Sequence, residues 1–179
     1  EYRIAPSDLL TITALASNLH YGTPGGLTLT QFLENPRQAR PATATLPGAI
    51  DAKAAVTNNT FYSATRLEHV WNNAWTTTTG LFLGLTQFNN PTIRNYEARS
   101  ETNWGGRTET EYVWNEAKSK LTFGAEYQQF SSPLSVYQNN FGEKGSLQEQ
   151  DELNTAGGLL FAQATLQLPA RFLFTAGAS

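Results

Sequence analysis

The chain has 179 residues, no cysteine, no methionine and a formal net charge of −3. Disulfides and thiolate metal sites are thereby excluded, and so small a charge gives no footing for a nucleic-acid partner. No apolar run of about eighteen residues is present, which excludes membrane-spanning helices but not β-barrels, whose apolar surface is hidden in alternation.

In chain order, residues 1 to 5 read as the end of a descending strand, and the turn-rich Ala5-Pro6-Ser7-Asp8 leads into an ascending strand over 9 to 21 that does not choose a face. A long connection follows, about residues 22 to 59. Within it Thr28 and Gln31 form the capping-box spacing, and Pro36 ends the short run Leu29 to Asn35, so a short surface helix is expected there. Residues 60 to 71 descend, with Arg66 and Glu68 facing inward and Phe61, Leu67, His69 and Trp71 outward. After Asn72-Asn73, residues 74 to 88 ascend with Trp75, Leu81, Leu83 and Leu85 outward and Gly80, Phe82 and Gly84 inward.

A second long connection is expected at about 89 to 94, and then comes the most regular segment of the chain. From Tyr96 to Trp114, Glu97, Arg99, Glu101, Asn103, Arg107, Glu109 and Glu111 share one parity, while Tyr96, Ala98, Trp104, Gly106, Tyr112 and Trp114 share the other. A period of two is an extended strand with one wet face. Strands in soluble domains usually run about five to six residues, whereas this one, at about 3.3 Å per residue, reaches about 60 Å and outspans a hydrocarbon core of about 30 Å. Past the short turn Asn115-Glu116-Ala117-Lys118, residues 119 to 130 ascend with Leu121, Phe123, Ala125 and Tyr127 opposing Thr122, Glu126 and Gln128. A third long connection is expected at about 131 to 154. Residues 155 to 167 descend with Leu160, Ala162, Ala164 and Leu166 opposing Gln163, Thr165 and Gln167, and after Leu168-Pro169-Ala170 a last strand begins at 171.

The fold class is therefore all-β, an antiparallel up-and-down meander of about eight passes forming part of a transmembrane β-barrel. The first and last passes read as incomplete, as if the chain were cut from something larger. Short turns at one end and longer loops at the other match outer-membrane barrels, and Trp71, Trp75, Tyr112 and Trp114 near the short turns suit an aromatic girdle. On this parity Arg66, Glu68, Arg99, Glu101, Arg107, Glu109, Glu111 and Glu126 face a wet lumen. Tyr21, Arg37, Arg40, Tyr137 and Phe141 are the ligand-binding candidates by chemistry and loop position. His20 and His69 have no metal-ligand spacing around them, and the carboxylates lie along a strand face rather than converging on a scissile bond, so neither a metal site nor an enzyme is expected.

Several strings in order carry a family resemblance: Tyr21-Gly22-Thr23-Pro24-Gly25-Gly26-Leu27-Thr28 with Gln31-Phe32 and Asn35-Pro36-Arg37-Gln38-Ala39-Arg40-Pro41; Asn90-Pro91-Thr92-Ile93-Arg94-Asn95-Tyr96; Gly105-Gly106-Arg107-Thr108; Leu121-Thr122-Phe123-Gly124-Ala125-Glu126-Tyr127-Gln128; and Phe161-Ala162-Gln163-Ala164 with Leu168-Pro169-Ala170-Arg171-Phe172. Together they resemble the barrel of TonB-dependent outer-membrane receptors of the siderophore type, over essentially the whole chain. The resemblance implies a bacterial outer-membrane location, a barrel of about 22 strands, and import of an iron complex with energy from the TonB complex. It also implies a plug domain elsewhere in the same polypeptide, since residues 1–179 contain nothing resembling one. No cofactor is implied. Two other readings stay open: a soluble carbohydrate-binding or adhesive β-sandwich, which needs the Leu81, Leu83, Leu85 and Leu121, Phe123 faces buried against a second sheet, and a small porin, which the incomplete terminal strands oppose.

Overall fold

The computed structural model describes residues 1–114 and 119–179, so the turn Asn115-Glu116-Ala117-Lys118 lies outside the described residues. Eight strands form one antiparallel sheet in strict chain order: β1 (Tyr2–Ala5), β2 (Asp8–Gly22), β3 (Ala55–Val70), β4 (Trp75–Pro91), β5 (Asn95–Trp114), β6 (Ser119–Asn140), β7 (Glu143–Gln167) and β8 (Leu173–Ala178). The expected pairing of 74 to 88 with both 60 to 71 and 95 to 114 is present as β3–β4 and β4–β5. Connections this short leave a strand no partner but its chain neighbour. Strands β1 and β8 are the two edges, and the sheet does not close on itself among the described residues.

Residues directly opposite in an antiparallel pair share a face, so the register assigns every side chain once one strand is fixed. The row Arg66, Gly80, Arg107, Glu126 runs across β3 to β6, and Glu68, Thr78, Glu109, Gly124 runs beside it. These lie on one face, here called the charged face. The opposite rows carry Leu83 against Trp104, Tyr112 against Leu121, and Phe123 against Ala162. Strand β2, ambiguous in sequence, is settled by its partner: Leu10, Ile12, Ala14 and Ala16 oppose Leu67, Thr65, Ser63 and Phe61 on the uncharged face. Its other side also carries Leu9, Leu15 and Leu19, so no alternation could have shown this.

Two expected loops are strand. Residues 131 to 154 continue β6 and β7 into a long hairpin closed by Phe141 and Gly142, whose φ values of 51° and 91° are those of a tight primed turn. Residues 89 to 94 reduce to a three-residue turn, 92 to 94, between Pro91 and Asn95. Of the long connections only the first survives, narrowed to residues 23 to 54. The turn and the hairpin tip nevertheless stand at the same end of the sheet as that loop, because β4 and β6 both run toward it.

The loop has a small core of its own, with Ala49 and Ala52 buried at 3% and 2% exposure. Its helix α1 (Leu29–Glu34) has the expected capping box: Thr28 Oγ1 accepts from the Gln31 amide at 3.3 Å, and Gln31 Oε1 accepts from the Thr28 amide at 2.9 Å. A helix of one and a half turns has little propensity to stand alone, so the cap supplies much of its local stability. Thr28→Ala is expected to cost about 1 kcal/mol. The loss would be read as faster hydrogen exchange at 28 to 34 with strand protection unchanged.

The sheet also curls. A Cβ placed on Gly105 would run into the Tyr127 carbonyl oxygen and lie 2.7 Å from Phe82 Cζ, and one on Gly124 would run into the Thr108 carbonyl oxygen and lie 2.7 Å from Phe161 Cζ. Both glycines lie on the charged face, so there the neighbouring strand comes over the side where a Cβ would stand. The charged face is thus the concave one at these positions, and each ring fills the hole its opposing glycine leaves.

Candidate functional site

The charged face is built from β3 to β7. Arg66 pairs with Glu68 at 2.7 Å, Arg107 with Glu109 at 2.9 Å and with Glu126 at 3.3 Å, and Lys120 with Glu111 at 2.9 Å. Nearer the loop end Arg99 lies 2.9 Å from Glu97 and 3.2 Å from Glu101. All eight charged residues expected on this face are on it, and the pairs join neighbours along or across strands. Solvated pairs of this kind contribute little individually, about 0 to 1 kcal/mol. The guanidinium groups do further work by lying over rings: Arg107 sits 4.4 Å from the Phe161 centroid and Arg99 4.3 Å from Phe88. Between Arg66 and Arg107 the absent side chain of Gly80 opens a cleft of about 370 Å³, lined also by Thr11, Thr13, Tyr62, Thr78 and Phe82.

The other face differs in kind. Asp8 at the turn end and Glu152 on the long hairpin bound it, and between their rows its positions on β2 to β7 carry no Lys, Arg, Asp or Glu. Its leucines are open to the outside, Leu81 at 63% and Leu85 at 41%, with Phe123 at 41%; no second sheet covers them among the described residues. Four of its hydroxyls are paired across strands, Thr77 with Thr110 and Thr79 with Thr108 at 3.0 Å, which removes the cost of leaving these without water. Trp75 stacks on Tyr112 at 4.5 Å, Tyr112 on Trp114 at 5.5 Å, and Trp104 packs on Tyr127 at 5.6 Å. The apolar stretch also slides along the rows: centred on Leu83 opposite Trp104 in β4, it has moved toward Trp114 by β6, where Phe123 opposes Thr110, and further by β7, where Ala164 opposes Leu121.

No hydrogen bond, ion pair or ring contact among the described residues joins Tyr21, Arg37, Arg40, Tyr137 and Phe141 to one another. Tyr21 lies near the end of β2, where the strand over 9 to 21 is expected, whereas Tyr137 lies within β6 rather than in a loop, because β6 runs well past residue 130. Arg40 serves its loop through the backbone, its amide donating to the Pro24 carbonyl at 2.7 Å and its carbonyl accepting from the Ala49 amide at 2.9 Å. The Arg37 amide donates to Asn35 Oδ1 at 3.1 Å, and Phe141 stands exposed at the hairpin apex. Tyr137 opposes Tyr96, and Lys144 Nζ lies 5.3 and 5.6 Å from their ring centroids. Lys144 and Asn139 carry no signal in the sequence, since both belong to the hairpin that reads as loop. Neither the family models nor the curated proteins searched contain a match to this chain.

Proposed function

We propose that this chain is a stretch of barrel wall from a bacterial outer-membrane active transporter of the TonB-dependent kind, importing a scarce nutrient such as an iron complex. The observation that carries the reading is the division of one continuous sheet into a charged face and an uncharged face of exposed leucines edged by stacked aromatics. A sheet in water has no use for a wide uncovered apolar face, whereas a barrel wall between lipid and an aqueous interior needs both faces. The slide of the apolar stretch from β4 to β7 is what strands tilted to the membrane normal produce, since a horizontal slab cuts each successive strand at a different residue. On this reading the ladder from Arg66 to Glu126 faces the interior, where it would meet water and a plug, and the loop end faces outward and meets the imported ligand. The TonB partnership and the iron-complex cargo rest on the family resemblance alone.

Because the chain lacks cysteine, single substitutions report cleanly. In lipid vesicles, Leu83→Cys carrying a fluorophore should be quenched by lipid-borne quenchers and resist water-soluble maleimide, while Glu109→Cys should react with the maleimide and escape those quenchers. The reverse pattern, or equal aqueous labelling of both, would defeat the membrane-wall reading.

A further inference from the structure

We infer that Asn139 is a positioning residue that holds the loop 23 to 54, the β4–β5 turn and the β6–β7 hairpin tip together as one unit. Its side-chain amide donates to the Ala52 carbonyl at 2.8 Å and to the Thr92 carbonyl at 2.6 Å, and its Oδ1 accepts from the Gly142 amide at 2.8 Å. An asparagine side chain has two N–H donors and one carbonyl, and here each donor meets a different segment of the chain while the oxygen meets a third. The reach is long in sequence, 87 residues to Ala52 and 47 to Thr92.

Two features show that the hairpin is shaped to bring this residue there. The β6–β7 register shifts between Val136 and Tyr137 and again between Tyr137 and Asn139, so the tip is turned away from the regular ladder; bulges re-aim side chains in this way. Gly142, at φ 91°, leaves room for the Lys53 side chain, which a Cβ would meet at 2.9 Å. The hairpin tip therefore seats directly on the loop beside the carbonyl that Asn139 binds. Ala52, in turn, belongs to the loop's own buried core. Displacing any one of the three segments leaves a part-buried amide or carbonyl without its partner, so they loosen together. This holds whether or not the sheet lies in a membrane; if the loop end does capture a ligand, contact with one segment would order all three.

The test is hydrogen exchange on the full chain in detergent micelles, comparing the parent with Asn139→Asp and Asn139→Ala. Aspartate keeps the acceptor for Gly142 but loses both donors. Asn139→Asp should speed exchange about tenfold or more in both 49 to 54 and 92 to 95 while the Gly142 amide stays slow, and Asn139→Ala should release all three. Amides of Leu81 to Leu85 in β4 should keep the parent rate in both variants. Loosening of only one of the two distant segments, or of neither, would overturn the proposal. Equal acceleration through β4 would also overturn it, because Asn139 would then matter to the sheet as a whole.

Discussion

Leu83→Arg should destabilise the protein in lipid vesicles by about 2 to 4 kcal/mol, while Glu109→Gln should change stability by less than about 1 kcal/mol. Leu83 lies on the uncharged face opposite Trp104, within the stretch that carries no charged residue. In the proposed membrane wall, an arginine there would have to give up its hydration to hydrocarbon or bend the bilayer to keep it. Glu109 is half-exposed on the charged face and shares Arg107 with Glu126, so its neutral replacement leaves the guanidinium another carboxylate. Denaturant unfolding of both variants beside the parent gives the comparison. If Leu83→Arg is tolerated and Glu109→Gln unfolds the sheet, the two faces have been assigned the wrong environments.

The second large effect is expected at Gly124. Its Cβ position is occupied by the Thr108 carbonyl oxygen of β5 and by the Phe161 ring of β7, so Gly124→Ala must move backbone as well as a ring. Overpacking a filled site costs about 1 to 3 kcal/mol, and a backbone obstacle puts this one at the upper end. Gly26, on the loop, has nothing within 4 Å of its Cβ position, and Gly26→Ala serves as the control with little change. A double variant, Gly124→Ala with Phe161→Ala, relieves the ring clash only. If it restored parent stability, the ring and not the curl of the strands would be the obstacle. Equal denaturation midpoints for Gly124→Ala and the parent would mean the sheet is not bent there as described.

The extent to which the sequence discloses this fold varies by element for identifiable reasons. Strand β5 is legible because its two faces differ in chemistry at almost every step, and the register then carries that assignment across the sheet. The capping box of α1 is legible because two side chains at fixed spacing do the work locally. The upper halves of β6 and β7 are not, because the stretch around Glu143 to Asn154 is polar on both sides and its turn is Phe-Gly rather than the usual Asn-Gly, leaving neither alternation nor a turn signal to read. Strand β2 fails for the opposite reason, being apolar on both sides. The charged face was visible as a set of residues, whereas the Asn139 junction depends on backbone carbonyls 47 and 87 residues away, which no spacing rule reaches.

The strict chain order of the strands has a kinetic consequence. Each pairing closes a connection of only a few residues, with one exception: β2 reaches β3 across the loop from 23 to 54. Closing a loop about ten times longer than a hairpin turn costs about 2 kcal/mol more in chain entropy. Assembly can therefore proceed by adding one neighbour at a time along β3 to β8, in the manner of low-contact-order topologies. The β2–β3 seam is then the slowest to zip, and Ala49 and Ala52, by drawing that loop into a compact knot, shorten the search that the seam has to make.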